Sequence, residues 1–260
     1  MRSRLRLFPA CVLAALCAAG ADASAGCDKT LSIASSDYAP YVYRDAQGKW
    51  VGLDVELMQA IFKEAGCAYR FAPLVAPKRM VETVSSGRTD VMLAASDSAE
   101  RRVKNRFGPM YRYESVSLVG LAGKTDAFRQ VRNFHDLKQL GLRLLLPNAG
   151  WFGDDYAQAL PELRAAGLAV EFTYLDQAVR MLKAGRGALL MSDTAAIFAA
   201  ARQEGVAIEA IPYTVTRAPV HMMFSKASVS EHDFQLLGDA TRRLEKRGVL
   251  ETIRRSYGLR

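Results

Sequence analysis

The chain repeats one short pattern, in which a glycine that ends a helix precedes a turn and a run of apolar residues. The two copies are residues 87–93 (GRTDVML) and residues 185–191 (GRGALLM). Such a pattern predicts a buried strand, because glycine readily ends helices and a short apolar run between turns is typical of a strand.

A charge follows each copy, Arg101 in one case and Asp193 in the other. Ligands bind beyond the carboxyl ends of such strands. Two sheets facing each other therefore predict a cleft with a guanidinium on one wall and a carboxylate on the other, which suits a small molecule carrying a carboxylate and an ammonium.

The periodicity around the first copy predicts a strand–helix–strand–helix–strand unit. Its predicted elements are a strand at residues 31–35, a helix from Asp54 as N-cap to Gly66, a strand at 68–74, a helix at 79–86 and a strand at 90–95. Parallel strands require crossover connections of this kind, so the unit indicates a parallel sheet covered by helices.

The same order recurs around the second copy. Its predicted elements are a strand at residues 142–146, a helix at 154–166 kinked or broken at Pro161, a strand at 169–174, a helix that Asp176 caps and Gly185 ends, and a strand at 188–191. Extended stretches at 115–121 and 220–224 would join the units as a two-stranded hinge. Two helices at 231–246 and 249–256, broken at Gly248, are expected to pack on the first unit. We therefore expect two lobes, residues 26–115 with 220–260 and residues 116–219.

The first 25 residues have the features of a secretory signal. Three arginines precede an apolar run over residues 7–19, which is too short to span a bilayer as a helix, and Ala23-Ser24-Ala25 is a small-x-small cleavage site. Leu16 before Cys17 is bulkier than the residue typical of a lipoprotein signal. We predict cleavage after Ala25 and a soluble exported protein.

The composition excludes several classes of function. The net charge of +8 falls by two, to +6, once the three arginines and one aspartate of the signal are removed. This charge is spread along the chain without a basic and aromatic patch, so nucleic acid is not an expected partner. His135, His221 and His232 have no metal-ligand spacing, so neither a metal nor a cofactor is expected. Sequence signatures of serine, cysteine and metal hydrolases are absent.

Two cysteines, Cys27 and Cys67, remain in the mature chain. Each precedes a predicted strand, and if these strands are parallel neighbours their starts lie close enough to bridge. An even number of cysteines in an exported protein favours a disulfide over two free buried thiols.

Several short motifs follow one another along nearly the whole mature chain. They are residues 52–57 (GLDVEL), 86–90 (SGRTD), 98–101 (SAER), 107–111 (FGPMY), 184–186 (AGR) with Asp193, and the closing stretch from Gly248 to Gly258. Together they resemble the motifs of family 3 periplasmic solute-binding proteins, the receptors of polar amino acid ABC transporters. The resemblance implies the type II periplasmic binding protein fold, α/β in both lobes. It also implies hinge closure on a small ligand, an ABC permease as partner, and a monomer in the periplasm.

The resemblance also implies roles for particular residues. Arg101 would bind the ligand's α-carboxylate bidentately, with Ser96 adding a hydroxyl. Asp193 would bind the ammonium, although capping the next helix is a competing or additional role for it. Tyr38 would form an aromatic wall, for which ordinary core packing is the alternative.

At some positions the chain departs from the family pattern. Pro77 stands where the family usually has a tryptophan or another bulky residue, and Ala188 replaces a common second acid. Residues 148–150 (NAG) replace a G-T-T turn, so the hydroxyl is lost. Backbone N–H groups near Gly150 could still bind an anion, and Trp151 could supply aromatic surface. These departures leave the ligand's side chain open.

Three functions follow from the resemblance. The first is ligand binding for a permease. The second is an enzyme like the periplasmic cyclohexadienyl and arogenate dehydratases, for which Glu56, Asp154 or Asp155 would be candidate acids. The third is a sensor or partner protein that no longer serves transport.

Overall fold

A computed structural model describes residues 26–34 and 36–258, so the predicted signal sequence lies outside the described residues. The elements up to the first long strand are β1 (Leu31–Ala34), β2 (Tyr43–Arg44), β3 (Trp50–Val51), α1 (Leu53–Ala65), β4 (Tyr69–Phe71), α2 (Pro77–Ser85), β5 (Val91–Ala95), α3 (Ala99–Arg102) and β6 (Asn105–Leu121). The elements that follow are a 3₁₀ turn (Asp126–Phe128), α4 (Phe134–Gln139), β7 (Leu144–Pro147), α5 (Asp154–Ala165), β8 (Ala169–Phe172), α6 (Leu175–Lys183), β9 (Leu189–Asp193), α7 (Thr194–Gln203), β10 (Ile208–Ser225), α8 (Glu231–Lys246) and α9 (Val249–Ser256). None of the helices in these residues combines the length and the apolar character needed to cross a membrane.

Each predicted α/β unit forms three parallel strands. In the first lobe, β1 lies between β4 and β5, and in the second lobe β7 lies between β8 and β9. The helices α1, α2, α8 and α9 belong to the first lobe and α4–α7 to the second. This arrangement confirms the two-lobed α/β fold expected from the sequence.

Two long antiparallel strands, β6 and β10, connect the lobes, so the strand order β4-β1-β5-β10-β6-β9-β7-β8 is continuous. Both strands are longer than the predicted hinge stretches, because residues of mixed polar and apolar character extend the ladder beyond the continuous apolar runs. In the second lobe β6 pairs with β9 from Val116 onward, and in the first lobe β10 pairs with β5 from His221 onward. Between these points Glu114 faces Ala218 within the β6–β10 pair. We call this part of the β6–β10 pair, which passes from one lobe to the other, the hinge segment.

Apolar faces of the helices form separate cores in the two lobes. The predicted inward residues of α1, namely Leu57, Met58, Ile61 and Phe62, are at most 1% exposed. Leu237 of α8 and Leu250 of α9 belong to the same cluster, so the C-terminal helices pack on the first lobe as expected. In the second lobe, Leu144 and Leu145 of β7 contribute to two different clusters, one on each face of the sheet.

Two predicted helix caps were wrong. Gly52, not Asp54, is the N-cap of α1, and Tyr174, not Asp176, precedes α6. Each aspartate lies inside the first turn, where its carboxylate binds an arginine; the carboxylate of Asp176 also accepts the N–H of Gln177. Asp176 binds Arg180 one turn later. Pro161 neither ends nor interrupts α5, which runs to Ala165.

The carboxylate of Asp54 forms a fully buried ion pair with Arg112 of β6. The guanidinium Nε and Nη2 atoms lie 2.6 and 2.9 Å from the two carboxylate oxygens, and both side chains are at most 1% exposed. The guanidinium carbon also lies 3.8 Å from the ring centroid of Tyr41. The pair therefore ties the start of α1 to the hinge strand.

A disulfide joins Cys27 and Cys67, whose Cα atoms are 4.9 Å apart. It forms because β1 and β4 are parallel neighbours, with Leu31 opposite Tyr69, so the residues just before both strands meet at the same edge. The predicted disulfide is confirmed.

Replacing both cysteines with serine is expected to lower the free energy of unfolding by about 2–4 kcal/mol, because the bond restricts the unfolded chain. Urea unfolding of the oxidised wild type and the double variant measures this difference. The variant should be indifferent to dithiothreitol, whereas the wild type should lose the same stability on reduction. Equal midpoints for both proteins without reductant would contradict the expectation.

Candidate functional site

A cavity of about 390 Å³ lies between the two lobes, within the range of small-molecule sites. Its lining comes from segments that follow the carboxyl ends of parallel strands: Tyr38 after β1, Ser96 after β5, Gly150 after β7 and Thr173 after β8. The cavity therefore occupies the position that the repeated pattern predicts. Among the residues predicted to bind ligand, it brings together Tyr38, Ser96, Arg101, Gly150 and Trp151.

Arg101 lies on the wall formed by the first lobe, at the end of the single turn α3. Ser98 caps that turn, and Nη1 of Arg101 donates a hydrogen bond to the carbonyl oxygen of Ser96 at 2.9 Å. The guanidinium is half-buried, and this burial lowers its pKa from the usual value. Among the described residues the guanidinium has this one hydrogen-bond acceptor, so its other N–H groups remain for a ligand. By contrast, the neighbouring Arg102 is exposed and pairs with Asp97.

Ala94 also lines the cavity and has a conformation unusual for its type. Its φ of +52° lies in the left-handed region, where a non-glycine residue carries strain. Its N–H donates a 2.7 Å hydrogen bond to the hydroxyl of the buried Tyr111. Sequence reasoning assigned no role to Ala94, since an alanine at the end of an apolar run gives no signal of this kind, and it noted Tyr111 only as part of the motif at 107–111.

Aromatic side chains from both lobes form much of the remaining wall. Tyr38 stacks on Tyr41 with 6.0 Å between ring centroids, and its hydroxyl lies 3.2 Å from Oγ of Ser192 in the opposite lobe. Apolar and aromatic lining residues of the second lobe are Trp151, Phe152, Phe172, Tyr174 and Leu175. Those of the first lobe include Met80, Val81, Met92 and Leu93.

Asp193 is not among the residues that line this cavity, although it contacts Tyr41, which is one of them. It is 1% exposed, caps α7 through a 2.9 Å bond from the Ala196 N–H, and accepts a 2.9 Å bond from the Tyr41 hydroxyl. It lines a neighbouring cavity of about 280 Å³ together with Arg112. The helix-capping role considered for Asp193 is therefore present, and its carboxylate is already hydrogen-bonded by the protein.

Glu114, on the hinge segment of β6, is an acid that does line the main cavity. Burial, reinforced by the negative charge of Asp193, raises the pKa of its carboxyl group to about 7. Sequence reasoning did not single it out. The sequence signal available for it was a glutamate directly before Ser115, where the predicted extended stretch begins. Of the acids considered for an enzyme, Glu56, Asp154 and Asp155 are exposed residues outside the lining, and Glu56 accepts a bond from Tyr257.

The loop after β7 depends on the glycine at its centre. Gly150 has a φ of +126°, and a Cβ atom there would lie 2.5 Å from the ring of Phe152. Gly150→Ala is therefore expected to displace Trp151 and Phe152 and to weaken ligand binding at least about tenfold, with a much smaller effect of Gly141→Ala as control. Gly141 also has positive φ, but open space surrounds its Cβ position. Calorimetric titration of both variants would measure this, and equal affinities would contradict the role of the loop.

The sequence of residues 31–259 matches the model of a protein family, described as bacterial extracellular solute-binding proteins, family 3. The chain belongs to this family. No curated protein matches the chain by sequence.

Solved structures of other binding proteins agree with the fold of this family 3 protein. An ancestral arginine-binding protein bound to arginine gives a TM-score of 0.73 at 21% identity, covering 87% of this chain and 97% of that chain. The arginine-, lysine-, histidine-binding protein ArtJ from Geobacillus stearothermophilus gives 0.71 at 20%, covering 88% and 94%. An ancestral amino acid-binding protein, a precursor of cyclohexadienyl dehydratase, gives 0.69 at 18%, covering 87% and 94%. The two-lobed fold is common to all three.

The positions where this family member departs from the pattern also lie at the cavity. Pro77, in place of the usual bulky residue, begins α2 and lines the cavity without an aromatic ring. On the opposite wall the replacement turn is held by Asn148, whose amide donates a 2.9 Å bond to the Thr173 hydroxyl. Opposite Pro77, the second lobe thus supplies aromatic surface at Trp151 and Phe152.

One of the three histidines, His232, lies near two carboxylates, and none of the three residues lines the cavity. Asp28, His232 and Asp233 place one ligand atom each within 4.8 Å of one another. Asp28 and Asp233 also bind Ser230 at the start of α8, so the group ties the segment before β1 to that helix.

Proposed function

We propose that the protein binds a small amino-acid-like ligand in the cleft between its lobes and delivers it to an ABC permease. In this proposal it is exported through its signal sequence and acts as a periplasmic monomer. The lobes, residues 26–115 with 220–260 and residues 116–219, close about the β6–β10 crossing. Arg101 binds the carboxylate, with Ser96 and the N–H groups near Gly150 beside it, and Tyr38 and Trp151 cover the side chain.

The observation that carries this proposal is the position of Arg101. A half-buried guanidinium, fixed by one bond to Ser96, faces an interlobe cavity of about 390 Å³. A rigid guanidinium fork matches a carboxylate bidentately, and closure would strengthen that pair by removing water. Amino acid-binding proteins among the structural relatives support the same ligand class.

A thermal-shift screen with the twenty amino acids and a set of small organic acids tests the proposal. A ligand that binds the folded state raises the midpoint of unfolding, by about 2.7 kcal/mol of stability at one hundred times its Kd. We expect at least one α-amino acid to do so. A screen in which no amino acid raises the midpoint would contradict the proposal.

A dehydratase activity is a second candidate, and Glu114 is the observation that favours it. A carboxyl group with a pKa of about 7 in the ligand cavity has the properties of a general acid at neutral pH. Acting on prephenate, it would protonate the departing ring hydroxyl, which leaves as water while the ring carboxylate leaves as carbon dioxide. Release of phenylpyruvate that is lost in Glu114→Gln would establish this activity. Its absence from the wild type would remove it.

A further inference from the structure

Resting on the proposed function, we propose that Glu114, rather than Asp193, binds the ammonium group of the ligand. We further propose that this ligand is an α-amino acid with a large apolar or aromatic side chain. The first part assigns a specificity-determining residue, and the second the substrate class.

Glu114 is available for a ligand. Its side chain lines the cavity at the hinge segment, and its carboxylate has no hydrogen-bond or ion-pair partner among residues 26–34 and 36–258. The side chain is half-buried, and taking an unpartnered carboxylate even partly out of water is unfavourable, so such a group in a ligand cavity points to a cationic partner that arrives with the ligand. Arg101 and Glu114 line the same cavity, one positive and one negative. Together they match the two charges of an α-amino acid.

Asp193 is not available in the same way. Its Oδ1 atom accepts bonds from the Tyr41 hydroxyl and the Ala196 N–H, and the positive charge of Arg112 lies nearby. It lines the neighbouring cavity instead of the one that contains Arg101. Asp193 therefore already has partners within the protein and is not in the lining of the cavity that contains Arg101, whereas Glu114 lines that cavity and has no such partner among the described residues.

The rest of the lining favours an apolar side chain. Met80, Met92, Trp151, Phe172 and Tyr174 surround the cavity from both lobes. The other lining acids are poor partners for a cationic side chain, since Asp37 and Glu100 are exposed and Asp54 is paired with Arg112. Closing a cavity of this kind on an apolar or aromatic side chain removes apolar surface from water on both partners.

The charges around Glu114 give its ligand binding a pH dependence. Arg101 and Arg112 are the cations that act on it, and Asp54 and Asp193 are the anions, with the Tyr38 hydroxyl also near. Burial and the anions prevail, so the carboxyl group holds a proton up to about pH 7. A bound ammonium would displace this proton. Affinity should therefore be highest above pH 7 and fall, by at most about tenfold per pH unit, as the pH is lowered to 6.

Calorimetric titration of phenylalanine and of 3-phenylpropanoate, which lacks the amino group, tests the assignment at pH 6 and pH 8. The proteins are the wild type, Glu114→Gln, Asp193→Asn and Glu82→Gln. The last makes the same chemical change at an exposed residue paired with Arg88. Asparagine remains a good helix cap, so Asp193→Asn should fold. Circular dichroism and the unfolding midpoint check each variant.

We expect the wild type and Glu82→Gln to prefer phenylalanine over 3-phenylpropanoate at least tenfold at pH 8, and less at pH 6. Glu114→Gln should lose this preference and its pH dependence, while Asp193→Asn should reduce the preference less. A Glu114→Gln protein that keeps the preference, or an Asp193→Asn protein that loses it instead, overturns the assignment. If polar amino acids bind and phenylalanine, tryptophan, leucine and methionine do not, the ligand class is wrong and the proposed function stands. If no amino acid binds, the proposed function fails as well.

Discussion

Arg101→Ala is expected to weaken severely the binding of any α-amino acid ligand. Removing one partner of a desolvated charge pair costs roughly 2–5 kcal/mol, which is a loss of at least about 30-fold in affinity. The remaining hydroxyl of Ser96 cannot replace a guanidinium, because it offers one uncharged donor. Calorimetric titration with the tightest amino acid of the screen measures the loss.

Arg102→Ala is the matched control for this experiment. Arg102 is the next residue of the same helical turn, but it is exposed and bonded to Asp97 on the surface. Its removal should leave the affinity within about twofold of the wild type and change stability little, because exposed ion pairs are weak. Equal affinities of Arg101→Ala and the wild type would refute the carboxylate site.

Arg112→Met is expected to cause the largest loss of stability in the first lobe. The substitution leaves the fully buried Asp54 carboxylate without its cation, for which about 3–5 kcal/mol is typical. It also removes the guanidinium that lies 3.8 Å from the centroid of the Tyr41 ring. Urea unfolding followed by circular dichroism measures the change in the free energy of unfolding.

The double variant Asp54→Leu/Arg112→Met separates the charge effect from packing. Replacing both partners by apolar residues removes the uncompensated charge, so the double variant should be more stable than Arg112→Met alone. Arg102→Met, at an exposed pair, should change stability little. If Arg112→Met and the wild type unfolded at the same midpoint, a stabilising role for the buried pair would be contradicted.

Much of the architecture could be predicted because it depends on local signals. Helices α8 and α9 have the predicted bounds, separated by Gly248 in the left-handed conformation. Gly66 ends α1 for the same reason. The disulfide was predictable because Cys27 and Cys67 precede strands whose parallel pairing follows from the strand–helix–strand order. These features involve residues close in sequence or a simple topological rule.

Features that depend on long-range pairing could not be predicted in the same way. Asp54 resembles a helix cap in sequence, yet its partner is Arg112, 58 residues further along the chain, and only the tertiary fold brings the two together. Likewise, Glu114 enters the cavity because β6 crosses between the lobes at that point. For Asp193, its position at the end of a predicted strand correctly placed it at the edge of the sheet. That position did not show which of the two cavities Asp193 would line.

The crystal structure of the protein with the tightest-binding amino acid tests the central claim most directly. We predict that the ligand carboxylate lies within hydrogen-bonding distance of the Arg101 guanidinium, with its ammonium against Glu114 and its side chain between Tyr38 and Trp151. A ligand bound outside this cavity, or inside it without contact to Arg101, would contradict the account.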